Sequence, residues 1–212
     1  MPSSFIIDDL GGRIATVWSE LRPATRGLVE RALQAAATGN QTTRNFQYDA
    51  RADLELSRFL AALDAAFDAP LDDRAAENTN ALDAETRGKL KSLADTTAAV
   101  LQEQTESAEV FAQLVRRAES QRDYKRIDTL ADALTSRFPP SEICELARSE
   151  DAIVRELANE ALARCPISLL IGLLNDPVDA ETARSALRRQ VAEYGSEEAR
   201  RLLTALDQEE FI

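Results

Sequence analysis

The chain of 212 residues has no histidine, only two cysteines and one tryptophan, and aromatic residues make up 5% of it. Without histidine it lacks the commonest side-chain general acid/base and the commonest metal ligand. Ser-His-Asp and Cys-His nucleophile systems are excluded within the chain, as are zinc fingers of the Cys/His type. Cys144 and Cys165 are too few for a disulfide framework and point to a reducing, cytoplasmic setting. Long apolar runs are lacking too. The longest, Cys165 to Leu174, is about half of a membrane span. No basic region followed by an apolar stretch opens the chain, so no secretory signal is visible and no membrane association is expected. Cations are in deficit, 25 Lys+Arg against 37 Asp+Glu, for a net charge of −12. Phosphate backbones are held by clustered Lys and Arg, so this balance argues against nucleic acid, although a local basic face remains compatible with it.

What the chain does contain is Ala and Leu, both strong helix formers, with Val and Ile sparse. Hydrophobic residues reach 44%, near the globular average, so a disordered acidic tail is excluded. No alternating strand pattern stands out, and the expected fold class is all-α. The length suffices for one or two domains with a real core.

Along the chain, residues 1–12 form an irregular lead-in ending at Gly11-Gly12, and a short helix runs on to about Leu21. Pro23 suits the first turn of the next helix, which Gly39-Asn40 stops. A loop over 40–49 ends at Asp49, a candidate N-cap. The helix at about 50–68 carries Leu56, Phe59, Leu60, Leu63 and Phe67 at helical spacing. The polar, acidic stretch 70–83 is a linker, and Asp83 is placed to cap a helix over about 84–104 with Leu90, Leu93, Thr97, Val100 and Leu101 inward. A further helix at about 107–119 carries Val110, Phe111, Leu114, Val115 and Ala118. Trp18 is expected to fill part of an N-terminal core.

From about residue 123 three stripes repeat. Ile127, Val154 and Ala183 are equivalent, as are Leu130, Leu157 and Ala186. Phe138, Cys165 and Tyr194 end each stripe, and Pro139, Pro166 and Gly195 break the chain before a second, shorter helix. Such a hairpin cannot bury its apolar face alone, but stacked neighbours can bury it together.

The segment Asp151 to Leu162, DAIVRELANEAL, resembles the D-x-x-V-R-x-x-A-x-x-A-L pattern of short HEAT-like repeats. Leu173-Leu174-Asn175-Asp176-Pro177 is similar to the junction between two such repeats. Ala180 to Leu187 is a degenerate copy that keeps Arg184 opposite Arg155, and the copy at Ile127 departs further, with Asp128 in the place of that Arg. The resemblance covers about 123–207 and implies an α-solenoid of stacked helical hairpins. It also implies structural roles for Asp151 as a helix cap and for Arg155 and Arg184 as links between repeats. The expected division is a helical N-terminal region at 1–83 and a HEAT-like region at 84–212, the former an irregular bundle that either caps the solenoid or stands apart.

Candidate sites are few. Arg116, Arg117, Arg122, Lys125 and Arg126 form the densest basic cluster, interrupted by Glu119, Asp123 and Asp128. It is read as a salt-bridged helix junction, with a docking patch for an acidic partner as the alternative. The paired carboxylates match no calcium loop, Gly11-Gly12 has no phosphate-binding continuation, and both cysteines sit on apolar stripes. No catalytic residue, metal or cofactor is expected. The leading expectation is a non-catalytic protein-interaction or scaffold module that takes a protein or peptide on the second helices. Its face would fall at about 141–148, 168–175 and 197–207, lined by Glu142, Glu145, Arg148, Asn175 and Arg201. Some HEAT-like proteins are DNA glycosylases and others bilin lyases. No motif of either occurs here, and those readings stand as the alternative, together with a structural homodimer subunit.

Overall fold

The computed structural model describes residues 7–38, 48–68 and 84–209. The lead-in at 1–6, the stop signal Gly39-Asn40, the loop over 40–47, the linker at 70–83 and the cap at Asp83 lie outside the described residues. The described chain is all-helical, with no strand, and divides into two compact units at Thr105/Glu106. None of its helices is long and apolar enough to cross a membrane.

The first unit holds one turn of 3-10 helix at Ile7–Leu10, then α1 (Gly12–Glu20), α2 (Pro23–Thr38), α3 (Ala50–Asp68) and α4 (Ala84–Gln104). The expected boundary at 83/84 is therefore displaced. α4 buries Leu90, Leu93, Thr97, Val100 and Leu101 and packs on α2 and α3, so it closes the first unit. Leu56, Phe59, Leu60 and Leu63 of α3 are buried, and Trp18 tilts against the Phe59 ring at 5.2 Å between centroids. Phe67, expected on the inward stripe, is exposed; it lies in the last turn of α3, where the Arg87 guanidinium of α4 covers its ring face at 5.9 Å.

The start of α3 is held by charge. Asp49 accepts a hydrogen bond from the Ala52 amide at 2.7 Å, the expected N-cap. The Arg22 guanidinium grips the same carboxylate through two nitrogens, at 2.7 and 3.0 Å, and donates from Nε to Glu55 at 2.9 Å. The Asp49 carboxyl is held down to about 2, first by Arg22 and then by the Ala52 amide. Burial raises the Glu55 carboxyl, but Thr25 and Arg22 lower it by more, so it too lies below its ordinary value.

The second unit holds α5 (Ala108–Ser120), α6 (Tyr124–Arg137), α7 (Pro140–Ala147), α8 (Ala152–Arg164), α9 (Ile167–Leu173), α10 (Ala180–Tyr194) and α11 (Glu197–Glu209). α6, α8 and α10 pack in succession, as do α5, α7 and α9, and α11 packs on α10. Of the consecutive helices, α5–α6, α7–α8 and α9–α10 pack closely, one helix out of step with the pairs expected from the repeat, whereas α10–α11 pack as that repeat expects. The cause is local. Phe138-Pro139 and Cys165-Pro166 are extended, so each makes a corner rather than a hairpin turn. Leu130, Leu134, Val154, Ala158, Ala183 and Leu187 are fully buried, and the small residues let helices approach closely. Tyr194, set equivalent to the buried Phe138, is exposed, because its hydroxyl seeks Glu160 at 3.2 Å.

Trp18 is the sole tryptophan and reports on the first unit. Phe59→Ala removes a fully buried ring and lowers that unit's stability by about 3–5 kcal/mol, read by urea unfolding with tryptophan fluorescence. Acid acts on the same unit. Carboxyls with folded values below their unfolded ones contribute stability that is present above about pH 4 and lost as pH falls through the folded value. Fluorescence-detected melts between about pH 5 and pH 2 are therefore expected to show a falling midpoint. In Arg22→Gln that slope is shallower and the midpoint at neutral pH is lower; a slope equal to the wild type would contradict the role of Arg22.

Candidate functional site

α6, α8 and α10 each begin after an aspartate, and these residues, Asp123, Asp151 and Asp179, are 28 residues apart. Asp123 accepts from the Arg126 amide at 3.1 Å, and Asp151 accepts from the Ile153 and Val154 amides at 3.0 and 3.1 Å. Asp151 also meets Arg116 of α5 at 3.6 Å, while Asp179 accepts from Arg148, just beyond α7, at 2.6 Å. An arginine of α5 thus reaches the start of α8, and an arginine at the end of α7 reaches the start of α10, with the same offset of three helices. Asp179 is 5% exposed, and a carboxylate so deeply buried requires a cationic or hydrogen-bonding partner. Arg155 donates to the Ser149 and Glu150 carbonyls at 2.7 and 3.2 Å and fixes the α7–α8 turn. Arg184 is half-buried on α10.

The five residues expected to line a groove separate into two kinds. Glu142 accepts from the Ala108 amide, the first of α5, at 2.9 Å, and so caps a neighbouring helix. Arg148 is engaged by Asp179. Both make bonds inside the unit, and Arg148 is exposed as well. Glu145 on α7, Asn175 after α9 and Arg201 on α11 are exposed.

The second helices differ in how far they are covered. α7 buries Ile143, Cys144 and Leu146 between α5, α8 and α9. α9 has no charged residue and buries only Leu170; Leu169 is 47% and Ile171 43% exposed, and Val178 in the turn that follows is 65% exposed. Composition alone does not report that exposure, since an unbroken apolar run has the same composition whether it is covered or not.

A polar face joins α8 to α10. Arg189 donates to Glu156 at 2.8 Å, to Glu160 at 3.2 Å and to Glu193 at 2.7 Å, and these bonds, Glu156 first, push its guanidinium above the ordinary value. Buried Gln190 donates to the Cys165 carbonyl at 2.7 Å and satisfies the end of α8. Beside it lies an open pocket of about 280 Å³ bounded by Ala163, Arg164, Gln190, Tyr194 and Ser196. Arg164 at its edge is paired with Glu160 at 2.6 Å. Burial, reinforced by Asp179, pushes the Cys144 thiol up to about 12, so it stays protonated at neutral pH and is no nucleophile. Among the described residues no group of three or more Cys, Asp or Glu is placed to hold a metal ion.

The interhelix bonds and the exposed residues respond differently to truncation. Arg148→Ala strands the buried Asp179 carboxylate and costs about 1–3 kcal/mol, whereas Glu145→Ala, Asn175→Ala and Arg201→Ala each stay within about 0.5 kcal/mol of the wild type. Urea unfolding followed by circular dichroism separates the two sets. No protein-family model, curated protein or solved structure matches this chain.

Proposed function

We propose that the chain is a non-catalytic protein-interaction module. In this reading the second unit is a short HEAT-like array that presents α9 and the turn after it to a protein or peptide. The observation that carries the reading is the exposure of Leu169, Ile171 and Val178 on and beside a helix without charge. Apolar side chains grouped on a surface mark sites of association. Its surroundings support it: exposed Glu145 lies on α7, which packs against α9, and exposed Asn175 follows α9, so polar groups are at hand for a rim. Interfaces combine an apolar centre with such a rim.

The test compares proteins that co-purify from the native host with the wild type and with Leu169→Glu/Ile171→Glu. Both positions are already solvated, so the variant keeps its fold, and circular dichroism verifies this. The expected result is loss of specific partners from the variant. An unchanged set of partners, or a clear shift of duplex DNA by the wild type at moderate salt, contradicts the reading.

A further inference from the structure

α5 ends in a left-handed turn of the kind that chains usually build with glycine. The Asp123 amide donates to the Ala118 carbonyl and the Arg122 amide to the Glu119 carbonyl, each at 2.8 Å, while Arg122 itself has φ +55°. This is a Schellman closure, and its left-handed position favours glycine because a Cβ crowds the backbone there. The same unit ends α10 with glycine in the left-handed position, though with different bonds: Gly195 has φ +63°, and the Gly195 and Ser196 amides both donate to the Gln190 carbonyl, the latter at 3.2 Å. Among the described residues Arg122 is the one non-glycine residue with positive φ.

The arginine thus stands where local folding favours glycine, and nothing inside the fold offsets that. Its side chain is exposed and makes no ion pair among the described residues; the same is true of Lys125 three residues on. Between them, Tyr124 is 67% exposed. The other charges of the turn are used or separate. Arg116 meets Asp151, Arg117 is buried and reaches Gln121 at 3.4 Å, Asp123 caps α6, and Glu119 and Asp128 are exposed.

We propose that the α5–α6 turn docks a short acidic segment of a partner protein, with Arg122 and Lys125 binding carboxylates and Tyr124 covering an apolar side chain next to them. A residue kept against local preference is expected where function needs its side chain. Arginine and tyrosine carry much of the binding energy at protein interfaces, and the guanidinium fork matches a carboxylate. The tyrosine ring offers apolar area that a bare anion leaves uncovered. A long polyanion such as duplex DNA would also meet the net charge of −8 carried by residues 101–212, whereas a short segment meets the turn alone. This surface is distinct from α9, and the two stand or fall separately.

The probe is a synthetic twelve-residue peptide of glutamates with two phenylalanines, titrated into the full-length protein and followed by backbone amide shifts. Shifts confined to about residues 116–126 are expected. Arg122→Gly is expected to weaken the peptide about tenfold while raising the thermal midpoint by a few degrees, because glycine relaxes the turn. Tyr124→Ala weakens the peptide without that gain in stability. The proposal is overturned if millimolar peptide shifts nothing, if the shifts fall outside the turn, if Arg122→Gly binds as well as the wild type, or if duplex DNA binds the turn more tightly than the peptide.

Discussion

A carboxylate opens each of α6, α8 and α10, and the rest of the second unit is arranged around keeping these groups satisfied. Asp179 shows the constraint most plainly, because burying it without a partner would cost more than the unit could spare. Arg148 reaches it at 2.6 Å and thereby ties α7 to the start of α10. Arg116 makes a looser version of the same link from α5 to Asp151. Apolar packing of alanine and leucine is tolerant of small slides between helices, whereas a bond between named atoms is not. Packing holds the helices together, and the Asp–Arg pairs set where along one another they rest. Arg189, binding Glu156 and Glu160 of α8, and Gln190, closing the end of α8, add to the same register from α10.

The first unit solves a similar problem with different parts. Its core is a cluster of large side chains around Phe59, and its polar anchor is Arg22, which joins the start of α2 to the start of α3 through Asp49 and Glu55. Its Asp49 carboxylate is far more exposed than that of Asp179, so that link is more open to acid and to salt.

Much of this was legible in the sequence, for a physical reason: helix positions follow from apolar spacing and from breakers. The bounds of α3 and α4, the first turn of α2 at Pro23 and the caps Asp49 and Asp151 all obey such local rules. Local rules say less about which helix meets which. The boundary at Thr105 depends on α4 packing backwards, and the pairing of α7 with α8 depends on the corner at Pro139. The 28-residue series of aspartates was visible in principle but hidden by aligning the apolar stripes, which place Asp123 and Asp179 one residue out of step with Asp151. The bonds made by Glu142 and Arg148 were not legible because their partners, the Ala108 amide and Asp179, lie more than 30 residues away in one direction or the other. The exposure of α9 left no mark on its composition at all.

The proposed role follows from what this register leaves over, an uncharged α9 and a strained, cationic α5–α6 turn. Its foundation is the link between Arg148 and Asp179. The most direct test is a double-mutant cycle with Arg148→Ala and Asp179→Asn, read as the opening free energies of α8 and α10 amides by native-state hydrogen exchange. A coupling of about 1–3 kcal/mol between the two sites is predicted. Effects that add within about 0.3 kcal/mol would contradict the claim that this pair sets the register of the helices in the second unit.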